Sequence, residues 1–441
     1  MKQFFLKTLS IVLAVSSLRP TAKAQTDHHQ MHSQATTGHK MMIHNTHWGA
    51  SVCAAHEVWD NSQGLCVPFN ADGSDRFDVM VHGNAFFTGV WAEKPRGKDQ
   101  FAIPNMIMSN IGTSLGSTQY LNLNVMLTFE RWTFHEDGYS ELGQTGEEDE
   151  NDEPYIDAQH PHSSPIMGLT ISDTFYLGEG KDHLRLFFAP RGQSTDGPIA
   201  FMHRPTGMAN PDAPLGHHLA QDAGHITSTV LGAGYTKKNT TLELSIFHGE
   251  EPEPAKVDLP LGEFDSYAIR VSEQLSEHSR VMLSAAYIKN PEGDHAPEID
   301  HNRRYSFSSY YQKPVFDEWV WNNTLVYGVI NFYNGVSKLQ SLNEEFLFYK
   351  KPYNIWGRFE FIERTAAELN ILTASDLLKP HDIYALTLGY THDLELSKLL
   401  HIGIGGSATK LFLPDEIEEA YNSDPVSGRA FIQLTGMWMS M

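Results

Sequence analysis

The groups in this chain that could do chemistry are concentrated in histidine, of which it has 23 in 441 residues. "DAQHPH" brings Asp157, His160 and His162 within six residues. "FMHRP" offers Met202, His203 and Arg204, and "LGHHLAQDAGH" adds His217, His218, Asp222 and His225. Neutral imidazole with carboxylate is a competent ligand set for Zn(II) or Cu(II). An extended His-Pro-His places both rings on one side, and Pro161 fixes φ, so little chain entropy is lost on binding. The acidic stretch "GEEDENDEP" at 146–154 adds a negative field that gathers cations, screened beyond about 8 Å. Such a site is expected to weaken as the imidazoles protonate below pH ~6.5. Against this stands the plainer reading that the same side chains order loops by hydrogen bonding.

A second set lies near the start of the chain. "DHHQMHSQATTGHKMMIHNTH" holds His28, His29, Met31, His32, His39, Met41, Met42, His44 and His47 with almost no apolar pattern. It cannot build a core and reads as a mobile periplasmic tail. Its borderline and soft ligands suit copper, silver or zinc, thioether in particular selecting Cu(I); the alternative is a solvated linker of biased composition. Cys53 and Cys66 are the two cysteines of the chain. In an oxidising periplasm they are most simply a disulfide closing a short loop, worth ~3 kcal/mol on the chain-entropy model. A Cys-His-Cys metal site with His56 would need both thiols kept reduced.

These residues must be positioned by an exported scaffold. Residues 1–24 read as a secretory signal peptide, with Lys2 and Lys7 about an apolar run and Ala22-Lys23-Ala24 before the cut. The leader carries four of the 32 Lys and Arg and none of the 54 Asp and Glu, leaving 28 basic against 54 acidic residues, a net −26. That surface repels nucleic acid and attracts cations. No later segment approaches the ~20 apolar residues of a transmembrane helix, but an exported chain can still cross a membrane as a closed barrel.

Period-two alternation points that way. In "YLNLNVMLTFERW", Leu121, Leu123, Val125, Leu127 and Phe129 face one side and Asn122, Asn124, Thr128 and Glu130 the other. "TLELSIF" sets Leu242, Leu244 and Ile246 against Glu243 and Ser245; "NIWGRFEFI" sets Ile355, Phe359 and Phe361 against Arg358 and Glu360. Such runs predict an all-β chain, a transmembrane antiparallel β-barrel of about sixteen strands over residues 76–441, preceded by a His/Met-rich segment at 25–75. The expected strands lie near 76–91, 103–113, 118–132, 165–177, 183–190, 224–236, 239–248, 264–273, 279–289, 303–313, 318–331, 337–350, 353–363, 381–393, 399–410 and 428–440. Short connections ("TSLG", "GEGK", "KKN", "YKKP", "LELS") alternate with long ones (135–164, 191–223, 249–263, 290–302, 364–380, 411–427), as periplasmic turns alternate with outer loops. The three histidine motifs therefore fall on one side. Trp91, Trp132, Trp319, Tyr327, Tyr353 and Trp438 are placed near strand ends, where an aromatic girdle belongs. The last strand, "GRAFIQLTGMWMSM", ends on Met441 instead of the common aromatic residue. A soluble sandwich or propeller would also alternate.

"GTSLG", Gly112 to Gly116, matches a nucleophile elbow, but that motif needs a strand–turn–helix and a strand follows here. No spacing singles out a nucleophile, so the chain reads as no enzyme. A barrel hydrolase on envelope lipid stays as the weakest alternative, behind a general porin whose acidic loops select cations.

The series "YIDAQHPH", "IAFMHRPTGMANPDAPLGHHLAQDAGHIT", "IFHGEEPE", "EFDSYAIR" and "VHGNAF", over about residues 77–310, resembles a family of uncharacterised bacterial outer-membrane-type β-barrels often encoded near copper and other heavy-metal efflux or resistance systems. The resemblance implies an exported barrel of the Gram-negative outer membrane, in contact with lipid and with a metal-linked context, but no established reaction; copper or zinc ions and periplasmic parts of a metal efflux system are the partners expected in that context. The positions it carries over are His160, His162, His203, Arg204, His217, His218 and His225. An aspartate commonly follows the second histidine of the first motif; Ser163 stands there, leaving Asp157 as the nearer carboxylate.

Overall fold

The computed structural model describes residues 57–60, 65–68 and 77–440, apart from 150–152, 163, 179–181, 222–223, 225, 253–260, 292–299, 334–335 and 398–399. The signal peptide, the histidines and methionines of residues 28–47, and Cys53 lie outside the described residues. Cys66 falls in Leu65–Pro68, which pairs with Glu57–Asp60 as a short antiparallel hairpin.

Sixteen antiparallel strands close a barrel. They are β1 (Phe77–Ala92), β2 (Asn105–Ser114), β3 (Gln119–Leu127), β4 (Ile166–Tyr176), β5 (His183–Gly192), β6 (Thr227–Lys237), β7 (Thr240–His248) and β8 (Ser266–Ser276). The circuit continues with β9 (Ser279–Lys289), β10 (His301–Pro314), β11 (Val320–Tyr333), β12 (Val336–Lys350), β13 (Tyr353–Thr365), β14 (Pro380–Ser397), β15 (Leu400–Phe412) and β16 (Val426–Ser440). Each pairs with its neighbour in sequence, and β16 closes on β1 from Ser427↔Ala92 to Ser440↔Val79. No edge is left to aggregate.

Alternation sets the two faces. Leu244, Leu283 and Leu388 point outward and remain 50, 58 and 55 % exposed, while Asn322, Thr324, Asn343, Arg358 and Glu360 point inward and are buried. A belt of exposed leucine, isoleucine and phenylalanine around a polar interior is unstable in water and stable in lipid. Among the described residues no helix is long and apolar enough to cross a membrane, so the strands do the crossing.

Three expectations shift. The third strand stops at Leu127, and Glu130–Thr133, with Trp132, forms one helical turn. "LELS" is no turn but the end of β14, which runs to Ser397. Tyr327 sits mid-strand in β11, donating its hydroxyl to Gln340 at 2.6 Å, whereas Trp91 and Tyr353 do stand exposed at strand ends. The long connections are the larger surprise. Within 135–164, Tyr139–Glu148 and Pro154–Gln159 pair as a hairpin outside the barrel sheet, and residues 139–145 and 157–159 are buried. The segment 193–221 is buried along almost its whole length.

Candidate metal centre

The segment after β5 runs across the lumen and bonds to the wall as it goes. Thr195 N donates to Ser245 Oγ at 2.9 Å, Gly197 N to Ser284 Oγ at 2.9 Å and Ile199 N to the Tyr310 hydroxyl at 3.0 Å. Arg204 then meets β12, its Nε donating to Glu345 Oε2 at 3.1 Å and Nη2 to Oε1 at 2.8 Å, while Thr206 donates to Oε2 at 2.7 Å. On the far wall Asn84 and Gln433 donate to the Met208 carbonyl. Arg358 donates to the Asp212 and Ala213 carbonyls at 2.9 and 2.6 Å, and Ser341 to the Leu219 carbonyl at 2.7 Å. The contacts reach β7, β9, β10, β12, β13, β16 and β1, so this insert crosses the lumen from wall to wall.

Its tip is held by backbone fit. Ala220 takes φ +59, the left-handed region that a non-glycine residue adopts at a cost. It lies against Gly328 of β11, where a β-carbon would stand 2.4 Å from the Leu219 carbonyl oxygen. Only glycine permits that approach.

The tip carries His217 and His218, and the end of the 139–159 hairpin carries His160 and His162; the two inserts meet. Ring centroids lie 4.6 Å apart for His217–His218, 5.2 Å for His160–His218 and 6.0 Å for His160–His162. All four rings are buried. Three have Nδ1 directed at an acceptor. His162 Nδ1 is 2.5 Å from Glu130 Oε2, His218 Nδ1 3.5 Å from Glu251 Oε1, and His160 Nδ1 3.2 Å from the Pro161 carbonyl. With the proton on Nδ1, each Nε2 keeps its lone pair, the usual arrangement of a ligating histidine.

Burial, then the neighbouring His218 and His162, holds the His160 imidazole well below its ordinary range; burial and His218 do the same for His217. Burial would raise the Glu251 carboxyl, but His218 and Arg304 hold it well below the usual carboxylate range. These two imidazoles therefore stay neutral to lower pH than the sequence suggested, because desolvation penalises the cation. Unfolded, each takes up a proton near pH 6.5; folded, only below that. The inserts thus have their full stability above about pH 6.5 and lose it as pH falls below that value. Protection factors for hydrogen exchange over residues 139–162 and 193–221 in metal-free protein, taken relative to the intrinsic rate at each pH, are expected to be lower at pH 5.0 than at pH 7.5. Equal protection at both would mean that folding is not linked to these rings.

Other expected residues go elsewhere. Asp157 accepts from Arg96 at 2.6 Å, from the Gly143 amide at 2.7 Å and from the Tyr421 hydroxyl at 2.7 Å, so its carboxylate is occupied away from the rings. His203 is buried in the turn Phe201–His203, and Arg204 is a structural anchor. Asp222 and His225 lie outside the described residues. Glu130 and Glu251 were not chosen from sequence as site residues, although the alternation of "TFERW" already turned Glu130 inward. Among the described residues, no group of three or more His, Cys, Asp or Glu side chains is placed to hold a metal ion.

No family model matches the chain, and no curated protein does. Solved structures do. Salmonella typhi OmpF in complex with daunomycin aligns at TM-score 0.50 and 8% identity, over 87% of this chain and 100% of that one. OmpTdeltaL8, a loop L8 deletion mutant of the Vibrio cholerae outer membrane protein OmpT, aligns at 0.46 and 7% identity over 82% and 99%. Acinetobacter baumannii OccAB2 aligns at 0.44 and 8% identity over 84% and 100%. The first of these likenesses shares the fold, and the lipid-facing belt supplies the setting. The chain is a closed sixteen-stranded antiparallel β-barrel of the Gram-negative outer membrane.

Proposed function

We propose that this outer-membrane barrel binds transition-metal ions at its mouth and takes part in their passage or in resistance to them. The observation that carries this reading is the meeting of His160, His162 and His218, each with Nδ1 on an acceptor, contributed by two separate inserts. A Zn–N bond of about 2.0–2.1 Å in tetrahedral geometry sets ring centroids about 5 Å apart. His160 and His218 stand at 5.2 Å, close to that spacing, and His160 and His162 at 6.0 Å, so the His162 ring is the one that must move inward. Copper and zinc both suit imidazole. The tail ligands His28, His29, Met31, His32, His44 and His47 would gather ions before the barrel, and periplasmic parts of a metal efflux system are the partners this reading implies.

The competing reading is a general solute channel with structural histidines. The porin fold supports it; the insert across the lumen weighs against it. Calorimetric titration of Zn(II) and Cu(II) into the detergent-solubilised full chain separates the two. The double change His160→Ala and His162→Ala is expected to remove one equivalent or lower affinity more than tenfold, and Glu130→Gln to weaken it about 10–100-fold by freeing the His162 ring. Unchanged affinity and stoichiometry in both would leave the histidines a purely structural role.

A further inference from the structure

Inward positions of this barrel mix Asn, Ser, Thr, Glu and Arg with several apolar clusters, and the one on the wall formed by β1 to β4 is built of methionine. There Met80, Met106, Met108, Met126 and Met167 are buried together, and Met202 of the crossing insert joins them with Ala200, packed by Phe201 and Ile226. Strand register sets His82, Met108 and Met126 side by side across β1, β2 and β3, with Met106 one pair further along opposite Asn84. Directly opposed residues on one sheet face have Cβ atoms about 4.5–5.5 Å apart, within reach of a thioether. His82 is 6 % exposed, and its Nε2 has no hydrogen-bond partner. A buried ring nitrogen with no protein partner is available to a ligand.

Methionine also fills gaps in ordinary cores. This barrel fills its other apolar clusters differently. One uses Leu142, Leu215, Leu219, Ile330 and Ile362 and another Phe187, Val230, Phe247 and Ile288, both without methionine, and a third, around Trp356 and Phe431, holds the single Met208. Six thioethers gathered about an unmatched imidazole are instead the composition of a soft-cation site.

We propose that Met80, Met106, Met108, Met126, Met167 and Met202, with His82, bind Cu(I) or Ag(I) in the lumen, at a site separate from the four-histidine cluster. Neutral thioethers compete poorly for Zn(II) and well for soft monovalent ions. The two sites adjoin at Phe201, which packs on the methionines and also meets the His217 ring edge-on at 5.6 Å. The site rests on the metal-handling reading only for its place in a route; its ligands are its own.

The test is competition for Cu(I) between the full chain in detergent and a chromophoric Cu(I) chelator, under anaerobic reducing conditions. Methionines of the tail contribute equally to every protein compared. The variant Met108→Leu with Met126→Leu preserves side-chain volume and is expected to lose one Cu(I) equivalent or at least tenfold in affinity, with Zn(II) titration unchanged. His160→Ala with His162→Ala should show the reverse, so the two readings fail separately. If the double leucine variant does not give the folded, heat-modifiable band, His82→Gln and Met80→Leu singly provide the same readout. Cu(I) stoichiometry and affinity equal to the unmodified protein in every folded variant overturns the site.

Discussion

Replacing Glu345 by alanine is expected to detach the crossing insert from β12 and open the lumen. The carboxylate receives two bonds from Arg204, one from Thr206 and one from Asn343 at 2.9 Å, and the Arg204–Glu345 pair is almost fully buried. Removing one partner leaves a desolvated guanidinium unmatched, which costs about 3–5 kcal/mol. The barrel sheet does not depend on this pair, because every strand remains bonded to both neighbours. The loss therefore falls on the insert. Single-channel recording in planar bilayers should show a low, intermittent conductance for the unmodified protein and a larger, steadier one for the variant. Protease should also cut within residues 193–221 of the variant while the strands survive. An unaltered conductance and an uncut insert would show that the remaining wall contacts suffice. Glu345→Gln, which keeps acceptor and size but not charge, should fall between the two.

Asp212→Ala is expected to have a comparable effect of about 3–5 kcal/mol by the same mechanism, but to loosen both inserts. Asp212 Oδ1 accepts from Arg429 Nε at 2.8 Å and from the Tyr139 hydroxyl at 2.6 Å, tying the crossing insert to β16 and to the hairpin. Arg429 also donates to the Ser140 carbonyl at 2.9 Å, so its orientation holds the first hairpin strand. Because each insert supplies two imidazoles, loss of this joint should disperse the cluster. Zn(II) affinity should drop along with protease resistance of residues 139–159. Glu345→Ala should by contrast leave that hairpin protected. The same digestion pattern in both variants would mean that the inserts unfold as one unit. In the double variant the two costs should add within a few tenths of a kcal/mol only if the anchors are independent.

How much of this was legible beforehand depends on the range over which the pattern is written. Leu242, Leu244 and Ile246 against Glu243 and Ser245 is a local signal; two residues per repeat determine which face meets lipid whatever the rest of the chain does. The sixteen strands, the side on which the long connections lie and the inward turn of Glu130 therefore followed from the residues alone. What the residues could not tell was the path of the long segments between strands, which have no periodicity. Asp157 lies three positions from His160, yet it bonds to Arg96 and Tyr421, 61 and 264 positions away. Glu251 reaches His218 from another loop altogether. The methionines were equally hidden, since Met80, Met108, Met126, Met167 and Met202 are scattered over more than 120 positions and become neighbours only through strand register and the fold of one insert. Local alternation is set by the backbone of a single strand, whereas a site is set by which side chains the closed barrel and its inward loops force to share one volume.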